Sequence, residues 1–351
     1  MTAGDAVLIT GGAGFIGSNL ADRLARAGHD VIVFDSLARA GVERNLAWLQ
    51  RQHPRRITPI LADVRDRAAL GDAVRRAKVV FHFAAQVAVT TSMSDPREDF
   101  DVNLLGTLNL LEALRSHRDP PPALFASTNK VYGDLEGVEL VCTGAAYEPR
   151  DANLRAHGVS EDCRLSFHTP YGCSKGAADQ YVIDYGRSFG IPTGVLRMSC
   201  IYGRRQRGTE DQGWVAHFLL RMLCDEPITI YGDGKQVRDV LWIDDALDAY
   251  IAAWQRIDRI RGQAFNLGGG PANAVSLLAV IEQIENVLGR PAALSYEDWR
   301  PGDQRYFVAD ARRARAALGL QPPRDWRDGL ALLADWFAAE RASPAAAEAA
   351  Q

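Results

Sequence analysis

Short runs of apolar residues alternate with amphipathic stretches through the first half of the chain. The runs lie at residues 6–10, 30–35, 57–63, 79–85 and 123–127. Between the last two runs, apolar residues recur at helical spacing over 99–117. Near-continuous apolar strands are typical of burial on both faces, and strands separated by helices form parallel sheets. The pattern therefore predicts an α/β fold with a doubly wound parallel sheet.

The second half of the chain has a more mixed pattern. A long helix is predicted over 171–189 and a further sheet strand over 193–199. Residues 228–245 contain a Gly-Asp-Gly turn between two apolar runs, which predicts a hairpin. More helices are predicted near 244–256, 276–288 and 326–340.

These elements predict a smaller, mixed lobe whose segments interleave with the main sheet. We expect a first domain over 1–197 with an insertion at 134–169, and a C-terminal lobe mainly over 198–340. The small-residue end, 341–351, is predicted to be frayed.

Composition narrows the range of functions. The formal net charge of -4 does not suggest attraction to nucleic acid or membranes. The sequence shows neither an apolar run long enough for a membrane span nor a secretory signal. The five cysteines form no Cys-x-x-Cys pair, so neither a metal site nor a redox motif is indicated. Free thiols favour a reducing, cytoplasmic location.

A glycine-rich turn follows the first predicted strand. Gly11, Gly14 and Gly17 stand in "TGGAGFIG", which also contains Phe15 and Ile16. Glycines at this spacing permit a tight turn, close approach of a pyrophosphate and close helix packing. The amides at the start of the following helix then face the phosphates. This turn predicts a dinucleotide site.

An acidic residue, Asp35, ends the second predicted strand. It can accept hydrogen bonds from both adenosine ribose hydroxyls and would repel a 2′-phosphate, so NAD is favoured over NADP. Arg39 and Arg44 lie nearby and leave that choice open. Asp63 and Val64 suit the adenine edge, although Asp63 is also a candidate helix N-cap.

The fourth strand ends in Phe83, Ala84, Ala85 and Gln86. Small side chains here would let the backbone approach a cofactor. His82, inside the same apolar strand, is predicted to be a packed core histidine.

Three residues far apart in the sequence suggest oxidation of a hydroxyl group. Tyr171 and Lys175 are four residues apart, so they share one face of a helix. A nearby ammonium and a positive nicotinamide would favour the phenolate and make Tyr171 a general base. Thr128 ends another strand and can hydrogen-bond the same substrate oxygen. The set suits proton removal from a sugar hydroxyl while hydride leaves its carbon.

These motifs resemble a known family. "TGGAGFIG", "FDSL", "LADVRD", "HFAAQ", "STNKVYG", "YGCSK" and "IYGDGKQVRDVLWIDD" are together similar to extended short-chain dehydrogenase/reductases that act on nucleotide sugars as epimerases or dehydratases. The resemblance covers roughly residues 5–340. It implies a Rossmann-type NAD domain, a lobe that binds a nucleoside-diphosphate sugar, and a homodimer or higher homo-oligomer. "STNKVYGDLE", "DQGWV" and "DQRYFVAD" most resemble the branch that inverts C2 of CDP-linked hexoses.

The resemblance implies roles for individual residues. Thr128, Tyr171 and Lys175 match the catalytic triad, and Asn103 matches a position that supports the lysine through water. Arg238 and Arg300 match arginines that hold the phosphates, a task for which planar guanidinium groups are well suited. The residues expected at the cofactor are Gly11, Gly14, Phe15, Ile16, Gly17, Asp35, Asp63, Val64, Phe83, Ala84, Ala85, Asn103, Tyr171 and Lys175. The residues expected at the substrate are Gln86, Lys130, Arg205, Gln212, Arg238, Arg300 and Asp303.

Two segments depart from the family pattern. Cys200 stands where the family usually has an asparagine that contacts the diphosphate. Arg204, Arg205 and Arg207 either compensate for it or form a solvated loop. The insertion at 134–169 is either a lid over the sugar or an unrelated surface loop.

The residues after Thr128 help to select the reaction. Dehydratases of this family have an Asp-Glu pair there, whereas this chain has Asn129 and Lys130, which cannot supply the carboxylic acid. We expect Asn129 to join Thr128 in holding the oxygen during epimerisation. C2 epimerisation of a CDP-hexose is the leading hypothesis. A UDP-hexose or UDP-uronic acid 4-epimerase, and a non-catalytic NAD-binding regulator, are the alternatives.

Overall fold

The computed structural model describes residues 4–300 and 302–342. The strands in this part of the chain are β1 (Ala6–Thr10), β2 (Val31–Asp35), β3 (Ile57–Leu61), β4 (Ala77–His82), β5 (Ala123–Thr128), β6 (Leu140–Cys142), β7 (Tyr147–Pro149), β8 (Thr193–Met198), β9 (Cys200–Tyr202), β10 (Ile228–Tyr231), β11 (Val237–Trp242), β12 (Gln263–Leu267), β13 (Ala274–Ser276), β14 (Leu294–Glu297) and β15 (Tyr306–Phe307).

The α-helices in the same part of the chain are α1 (Phe15–Arg26), α2 (Val42–Gln52), α3 (Arg67–Arg75), α4 (Val89–Ser94), α5 (Pro96–Phe100), α6 (Gly106–Arg115), α7 (Ala152–His157), α8 (Thr169–Ser188), α9 (Trp214–Leu223), α10 (Ile243–Gln255), α11 (Ile257–Ile260), α12 (Leu277–Leu288), α13 (Arg312–Leu318) and α14 (Trp326–Arg341). A π-helical turn spans Asp101–Leu105, and 3-10 turns span Asn129–Tyr132 and Pro271–Asn273.

The centre of the molecule is a seven-stranded sheet in the order β12-β8-β5-β4-β1-β2-β3. All of its strand pairs are parallel, and Leu8 of β1 lies opposite Ile32 on one side and Val80 on the other. These strands are apolar throughout because both faces of the sheet are buried, in two separate hydrophobic clusters. The predicted fold class is confirmed. The strand order reverses at β1, and such a switch point opens a crevice at the carboxyl ends of the strands.

The second half of the chain contributes to several sheets. β12 joins the central sheet beside β8, so that sheet includes a strand from beyond residue 197. The predicted hairpin over 228–245 is wrong. β10 pairs with β14, whereas β11 pairs with β9, β13 and β15. Gly232 and Gly234 adopt left-handed φ angles of 84° and 74°, and the turn that contains them leads the chain into another sheet.

The amphipathic stretch 99–117 is not one regular helix. It begins in α5, passes through the π-helical turn Asp101–Leu105 and continues as α6. Within this turn Asn103 is buried, and its carbonyl oxygen accepts a hydrogen bond from the Thr107 hydroxyl at 2.6 Å. π-Helical turns of this kind inside α-helices are frequent at functional sites.

The 134–169 insertion contains the antiparallel β6–β7 hairpin and α7. It packs on a third hydrophobic cluster that includes Tyr132, Val237 and Phe307. The phenol of Tyr147 also donates to Asp233 at 2.7 Å, which fastens the hairpin to the turn before β11.

At the C-terminal end, α14 runs through Arg341, and residues 343–351 of the predicted frayed tail lie outside the described residues. Among the described helices, none has both the length and the apolar character that crossing a membrane requires.

Candidate active site

A cleft of about 900 Å³ opens at the carboxyl ends of β1, β2, β4 and β5. It continues without interruption to residues of the C-terminal half, including Tyr231, Arg238 and Arg300. Every residue predicted for the site lines this cleft, with the exception of Asn103. Among the lining residues of the cleft, none comes from 134–168, so the lid hypothesis for the insertion receives no support.

The glycine turn after β1 is packed too closely for larger residues. Gly11 has a φ of 68°, and a Cβ atom there would lie 2.7 Å from the backbone nitrogen of Ala84. A Cβ atom on Gly17 would lie 2.2 Å from the carbonyl oxygen of Gly11. Gly11 therefore packs against the residues that follow β4, and the first turn of α1 packs against Gly11. This is the geometry that a dinucleotide pyrophosphate requires.

The carboxylate of Asp35 is held at the edge of the same turn. It accepts hydrogen bonds from the backbone N–H groups of Ala13 and Leu37, each at 2.9 Å. Burial raises the pKa of Asp35, and these two bonds oppose the rise. Asp35 also lines the cleft, and its two oxygens keep further acceptor capacity that ribose hydroxyls could use. Together with the glycine turn, this arrangement fits NAD.

Asp63 also lines the cleft, and it forms an ion pair with Arg65 at 2.7 Å. This pair lowers the pKa of Asp63. The alternative assignment of Asp63 as a helix N-cap is wrong, because the side chain of Asp66 caps α3.

Thr128, Tyr171 and Lys175 meet where β5 faces α8. All three are buried, with exposed fractions of 7%, 9% and 3%. The hydroxyl of Thr128 donates to Oδ1 of Asn129 at 3.3 Å, and Thr128 and Tyr171 line the same part of the cleft. The Nζ atom of Lys175 donates to the carbonyl oxygen of Ala126 at 2.6 Å and lies 4.1 Å from the ring centre of Phe125. A hydroxyl, a phenol and an ammonium thus lie at one end of the cleft.

The electrostatics of this group differ from the sequence-based expectation. Burial raises the pKa of Tyr171 to about 12, and the nearby side chain of Thr128 only partly opposes this rise. Burial likewise lowers the pKa of Lys175 to about 7. The expectation that Lys175 lowers the pKa of the phenol is not met by the protein groups alone. The main physical reason is the burial of the phenol, and the ammonium of Lys175 donates to the Ala126 carbonyl.

Asn129 and Lys130, which follow β5, make hydrogen bonds to the segment near residue 303. The amide of Asn129 donates to Oε1 of Gln304 at 3.4 Å, and Nζ of Lys130 donates to the carbonyl of Gly302 at 2.9 Å. Burial lowers the pKa of Lys130 to about 8, and the neighbouring Arg238 lowers it further. Both side chains still line the cleft.

Two arginines form the far wall of the cleft. Arg238 is buried and forms an ion pair with Asp303 at 2.6 Å. Arg300 lies flat against the ring of Tyr231, with its guanidinium carbon 3.6 Å from the ring centre. It also lies near two exposed carboxylates, Glu210 and Asp211, at 3.5 and 3.3 Å. These guanidinium groups could bind a diphosphate.

The arginines at 204–207 have acidic or polar protein partners, so the expectation of a solvated loop is not met. Arg205 and Arg207 also line the cleft. Arg204 pairs with Asp244 at 2.7 Å, and Arg207 pairs with Glu340 at 2.5 Å. Arg205 stacks on Trp48 at 3.4 Å; the same side chain bonds Asn19 at 2.8 Å and lies 3.7 Å from Asp22.

Although it borders the cleft, Arg205 therefore clamps the 204–207 loop to α1 and α2, and the geometry does not support its assignment to the substrate. Cys200 also lines the cleft, and its Sγ atom accepts a hydrogen bond from the indole N–H of Trp214 at 3.5 Å.

Gln86 and Asn103 support the site from behind. The side-chain oxygen of Gln86 accepts a hydrogen bond from the Ala88 N–H at 2.5 Å, and its amide nitrogen donates to Asp99 at 2.9 Å. The amide of Asn103 bonds the backbone of Gln86 in both directions, at 2.9 and 3.0 Å, and Ser174 at 3.1 Å. These contacts therefore do not support the assignment of Gln86 to the substrate or of Asn103 to the cofactor. Gln212 lines the cleft, and its Oε1 atom is buried without a hydrogen-bond partner among residues 4–300 and 302–342.

The sequence did not identify several residues that this structure brings to the site. Tyr231, Gln236 and Trp214 line the cleft, and Ser174 on α8 bonds Asp99, which lies behind that helix. An aromatic residue at the end of a strand, immediately before a Gly-Asp-Gly turn, was the available signal for Tyr231. Asp99 lacked such a signal, because its partners come from three separate segments.

Known proteins support this interpretation of the geometry. The family model described as NAD dependent epimerase/dehydratase family matches residues 7–268. The chain is 42% identical to CDP-paratose 2-epimerase from Salmonella typhi over 337 residues, which are 94% of this chain and 98% of that protein.

Two solved structures are similar along nearly the whole chain. The UDP-glucose 4-epimerase from Thermotoga maritima, solved with UDP-glucose, has a TM-score of 0.82 at 29% identity. The UDP-glucuronic acid 4-epimerase from Bacillus cereus, solved with UDP-glucuronic acid and NAD, has a TM-score of 0.81 at 29% identity. Both comparisons cover 95% of this chain and 99% of the other.

Proposed function

Because the chain belongs to the NAD dependent epimerase/dehydratase family, we propose that it epimerises a nucleoside-diphosphate sugar at C2, and that the sugar is a CDP-linked hexose. The observation that carries this proposal is the 42% identity to a CDP-paratose 2-epimerase over 94% of the chain. The residues that follow Thr128 agree with it. Asn129 and Lys130 bond Gln304 and Gly302, and neither can act as the carboxylic acid that dehydration needs.

The catalytic roles that we propose begin with Tyr171. Its phenolic oxygen takes the proton of the sugar hydroxyl, and Thr128 and Asn129 hold the oxygen that becomes a ketone. The glycine turn and Asp35 would hold NAD, which would supply the hydride acceptor and donor, so that the sugar carbon could lose its hydride and regain it on the opposite face after the keto-sugar has rotated. With NAD bound, the ammonium of Lys175 and the positive nicotinamide would together favour the phenolate near neutral pH, which the protein groups alone do not. Tyr171 then returns its proton to the sugar oxygen.

We propose that the substrate's diphosphate lies against Arg238 and Arg300. Both guanidinium groups already hold carboxylates, and a diphosphate offers stronger acceptors for the same planar donors. Asp303 would then accept hydrogen bonds from the nucleoside ribose, and Lys130 would contact the sugar. Gln212, whose buried Oε1 atom lacks a hydrogen-bond partner in the described part of the chain, would contact the nucleotide.

The second candidate is a UDP-hexose or UDP-uronic acid 4-epimerase. It is favoured by the two solved relatives that act at C4, whose fold superposes along nearly the whole chain. The same hydroxyl, phenol and ammonium can oxidise either carbon, so the choice depends on how the sugar is oriented. Identity of 29% to those structures, against 42% to the C2 enzyme, makes C4 the less favoured carbon.

A single NMR experiment distinguishes these candidates. The purified protein is incubated in D2O with CDP-paratose, CDP-glucose, UDP-glucose or UDP-glucuronic acid, and the proton spectrum of each sugar is followed. We expect inversion at C2 of a CDP-sugar without incorporation of deuterium there, because hydride returns directly. Inversion only at C4 of a UDP-sugar would favour the second candidate. Absence of inversion with every sugar would refute both.

We also propose that the protein acts in the cytoplasm as a homodimer. Three large apolar side chains remain exposed on α5 and along α8: Phe100 at 44%, Tyr181 at 46% and Phe189 just after the helix at 52%. A second copy that packs on these helices would bury them. All five cysteines are free thiols, which suits a reducing compartment. Light scattering of the purified protein measures the subunit number, and a monomeric mass would refute the dimer.

A further inference from the structure

A buried carboxylate, Asp99, lies directly behind the catalytic helix. Its exposed fraction is 0%. It accepts hydrogen bonds from the side-chain amides of Gln86 and Asn103, at 2.9 and 3.1 Å, and from the hydroxyl of Ser174. These donors come from the loop after β4, from the π-helical turn and from α8. Asp99 therefore joins three segments that surround the site.

In the part of the chain that the structure describes, no cation bonds Asp99 directly. All three of its hydrogen-bond partners are neutral. The other nearby buried carboxylate, Asp179, is held by Arg197 through two bonds of 2.9 Å. Buried charges require compensation, since transfer from water is costly for each ion. Asp99 needs a positive charge close by.

Lys175 is a buried positive charge whose own hydrogen-bond partner is likewise neutral. Its exposed fraction is 3%, and its hydrogen bond goes to the carbonyl of Ala126, a neutral group. Ser174 precedes Lys175 on α8, and its hydroxyl contacts both Asp99 and the carbonyl of Tyr171. Asp99 thus holds the helical turn that carries both Tyr171 and Lys175.

We propose that Asp99 is a positioning residue of this site, which anchors the Tyr171–Lys175 turn through Ser174 and supplies the countercharge that keeps Lys175 protonated. The proposal rests on the roles of Tyr171 and Lys175 in the proposed function. Asp99 acts only through these two residues and does not line the cleft.

The charges around Lys175 agree with this role. Burial lowers the pKa of Lys175, whereas Asp179 and Asp99 raise it. Because Arg197 already neutralises Asp179, Asp99 is the carboxylate whose charge is free to act. The neighbouring His82 is neutral, since burial lowers its pKa to about 3. Asp99 also raises the pKa of Tyr171.

The ionised form of Asp99 is supported by its hydrogen bonds. Burial raises the pKa of Asp99, but the bonds from Ser174 and Gln86 and the charge of Lys175 oppose that rise. Three donors directed at one carboxylate favour its charged form. Loss of this charge should therefore lower the pKa of Lys175 and of Tyr171 together.

The test measures the protonation of Lys175 directly. The chain has four lysines, Lys78, Lys130, Lys175 and Lys235. Competitive labelling with acetic anhydride across a pH series, read by peptide mass spectrometry, gives a midpoint for each of them. Asp99→Asn should lower the Lys175 midpoint by about one pH unit and leave Lys78 and Lys235 unchanged.

Ser174→Ala is the matched variant, because it removes the hydroxyl link and keeps the carboxylate. It should reduce turnover while the Lys175 midpoint moves much less than in Asp99→Asn. In the pH profile of kcat/KM, Asp99→Asn should move both limbs toward lower pH, which a purely structural defect would not do.

Three results would overturn the proposal. The first is an unchanged Lys175 midpoint in Asp99→Asn, or in Asp99→Ser should the asparagine variant not fold. The second is an equal shift in Ser174→Ala. The third needs no variant: a carboxyl NMR signal showing Asp99 protonated at neutral pH in the wild-type protein. The labelling requires no substrate, so absence of epimerase activity would refute the proposed function without affecting this result.

Discussion

The ammonium of Lys175 donates to the carbonyl oxygen of Ala126 over 2.6 Å. Ala126 precedes Thr128 by two residues on β5, and Lys175 follows Tyr171 by one helical turn on α8. Together with the bond from the Ser127 hydroxyl to Asp179 at 2.7 Å, this bond joins the strand that ends in Thr128 to the helix that carries Tyr171. The geometry of the triad is a property of the junction between β5 and α8.

We expect Tyr171→Phe to lower turnover by a factor of about 10² to 10⁴, the range typical of a lost general acid–base. The phenyl ring fills the same buried volume, so the protein should remain folded and bind NAD with unchanged affinity. Tyr181→Phe, on an exposed position of the same helix, is the control and should keep full activity. Turnover of Tyr171→Phe within tenfold of the wild type would remove Tyr171 from the mechanism.

The choice of cofactor should depend on Asp35. Its carboxylate faces the position where an adenosine ribose fits, and a 2′-phosphate would be repelled by its charge. Asp35→Ser should weaken NAD about tenfold, since it removes charge-assisted hydrogen bonds worth about 1.5 kcal/mol or more, and should improve the NADP to NAD ratio.

Isothermal titration with both dinucleotides measures this change. Asp30→Asn is the control, because the Asp30 side chain is exposed and pairs with Arg56 at 3.2 Å. If NADP binds Asp35→Ser no better relative to NAD than it binds the wild type, the charge of Asp35 does not select the cofactor.

Much of this architecture could be predicted from local sequence. Apolar runs define buried parallel strands, and the glycine spacing fixes the turn after β1, because both signals depend on neighbouring residues. The partners of Arg205 could not be predicted, since Asn19, Asp22 and Trp48 lie far away in the sequence.

The same limit applies to electrostatics. Tyr171 and Lys175 share a helix face, as predicted, yet the ammonium is directed to a carbonyl of β5, and burial dominates the pKa of both groups. The strength of such desolvation depends on every element that covers the site. A spacing of four residues does not contain that information.

Arg238 should bind the substrate's diphosphate through two parallel donors, which lysine cannot reproduce. We expect Arg238→Lys to weaken CDP binding at least about tenfold, the equivalent of about 1.4 kcal/mol. Arg205→Lys is the matched control. It should leave the affinity for CDP unchanged and lower the free energy of unfolding by about 1 kcal/mol, since the stacking on Trp48 is weakened. Equal losses of affinity in both variants would contradict the assignment.

Stability should fall in mild acid because of His82. This side chain is buried between the hydroxyls of Thr10 and Thr107, at 2.6 and 3.1 Å, and burial lowers its pKa to about 3. The unfolded chain takes up a proton near pH 6.5, whereas folded His82 stays neutral, so more protons are bound in the unfolded state below that pH. The free energy of unfolding should therefore fall by about 1.4 kcal/mol per pH unit below 6.5 on account of this residue.

His82→Gln tests that assignment, because glutamine can contact both hydroxyls without titrating. Its free energy of unfolding at pH 7 should be lower than that of the wild type. Between pH 7 and pH 5, however, it should lose about 2 kcal/mol less than the wild type loses. Urea titrations at the two pH values measure the difference, with His168→Gln as the control at an exposed histidine. The control should follow the wild type, and an identical pH slope in His82→Gln would show that His82 is protonated without unfolding the chain.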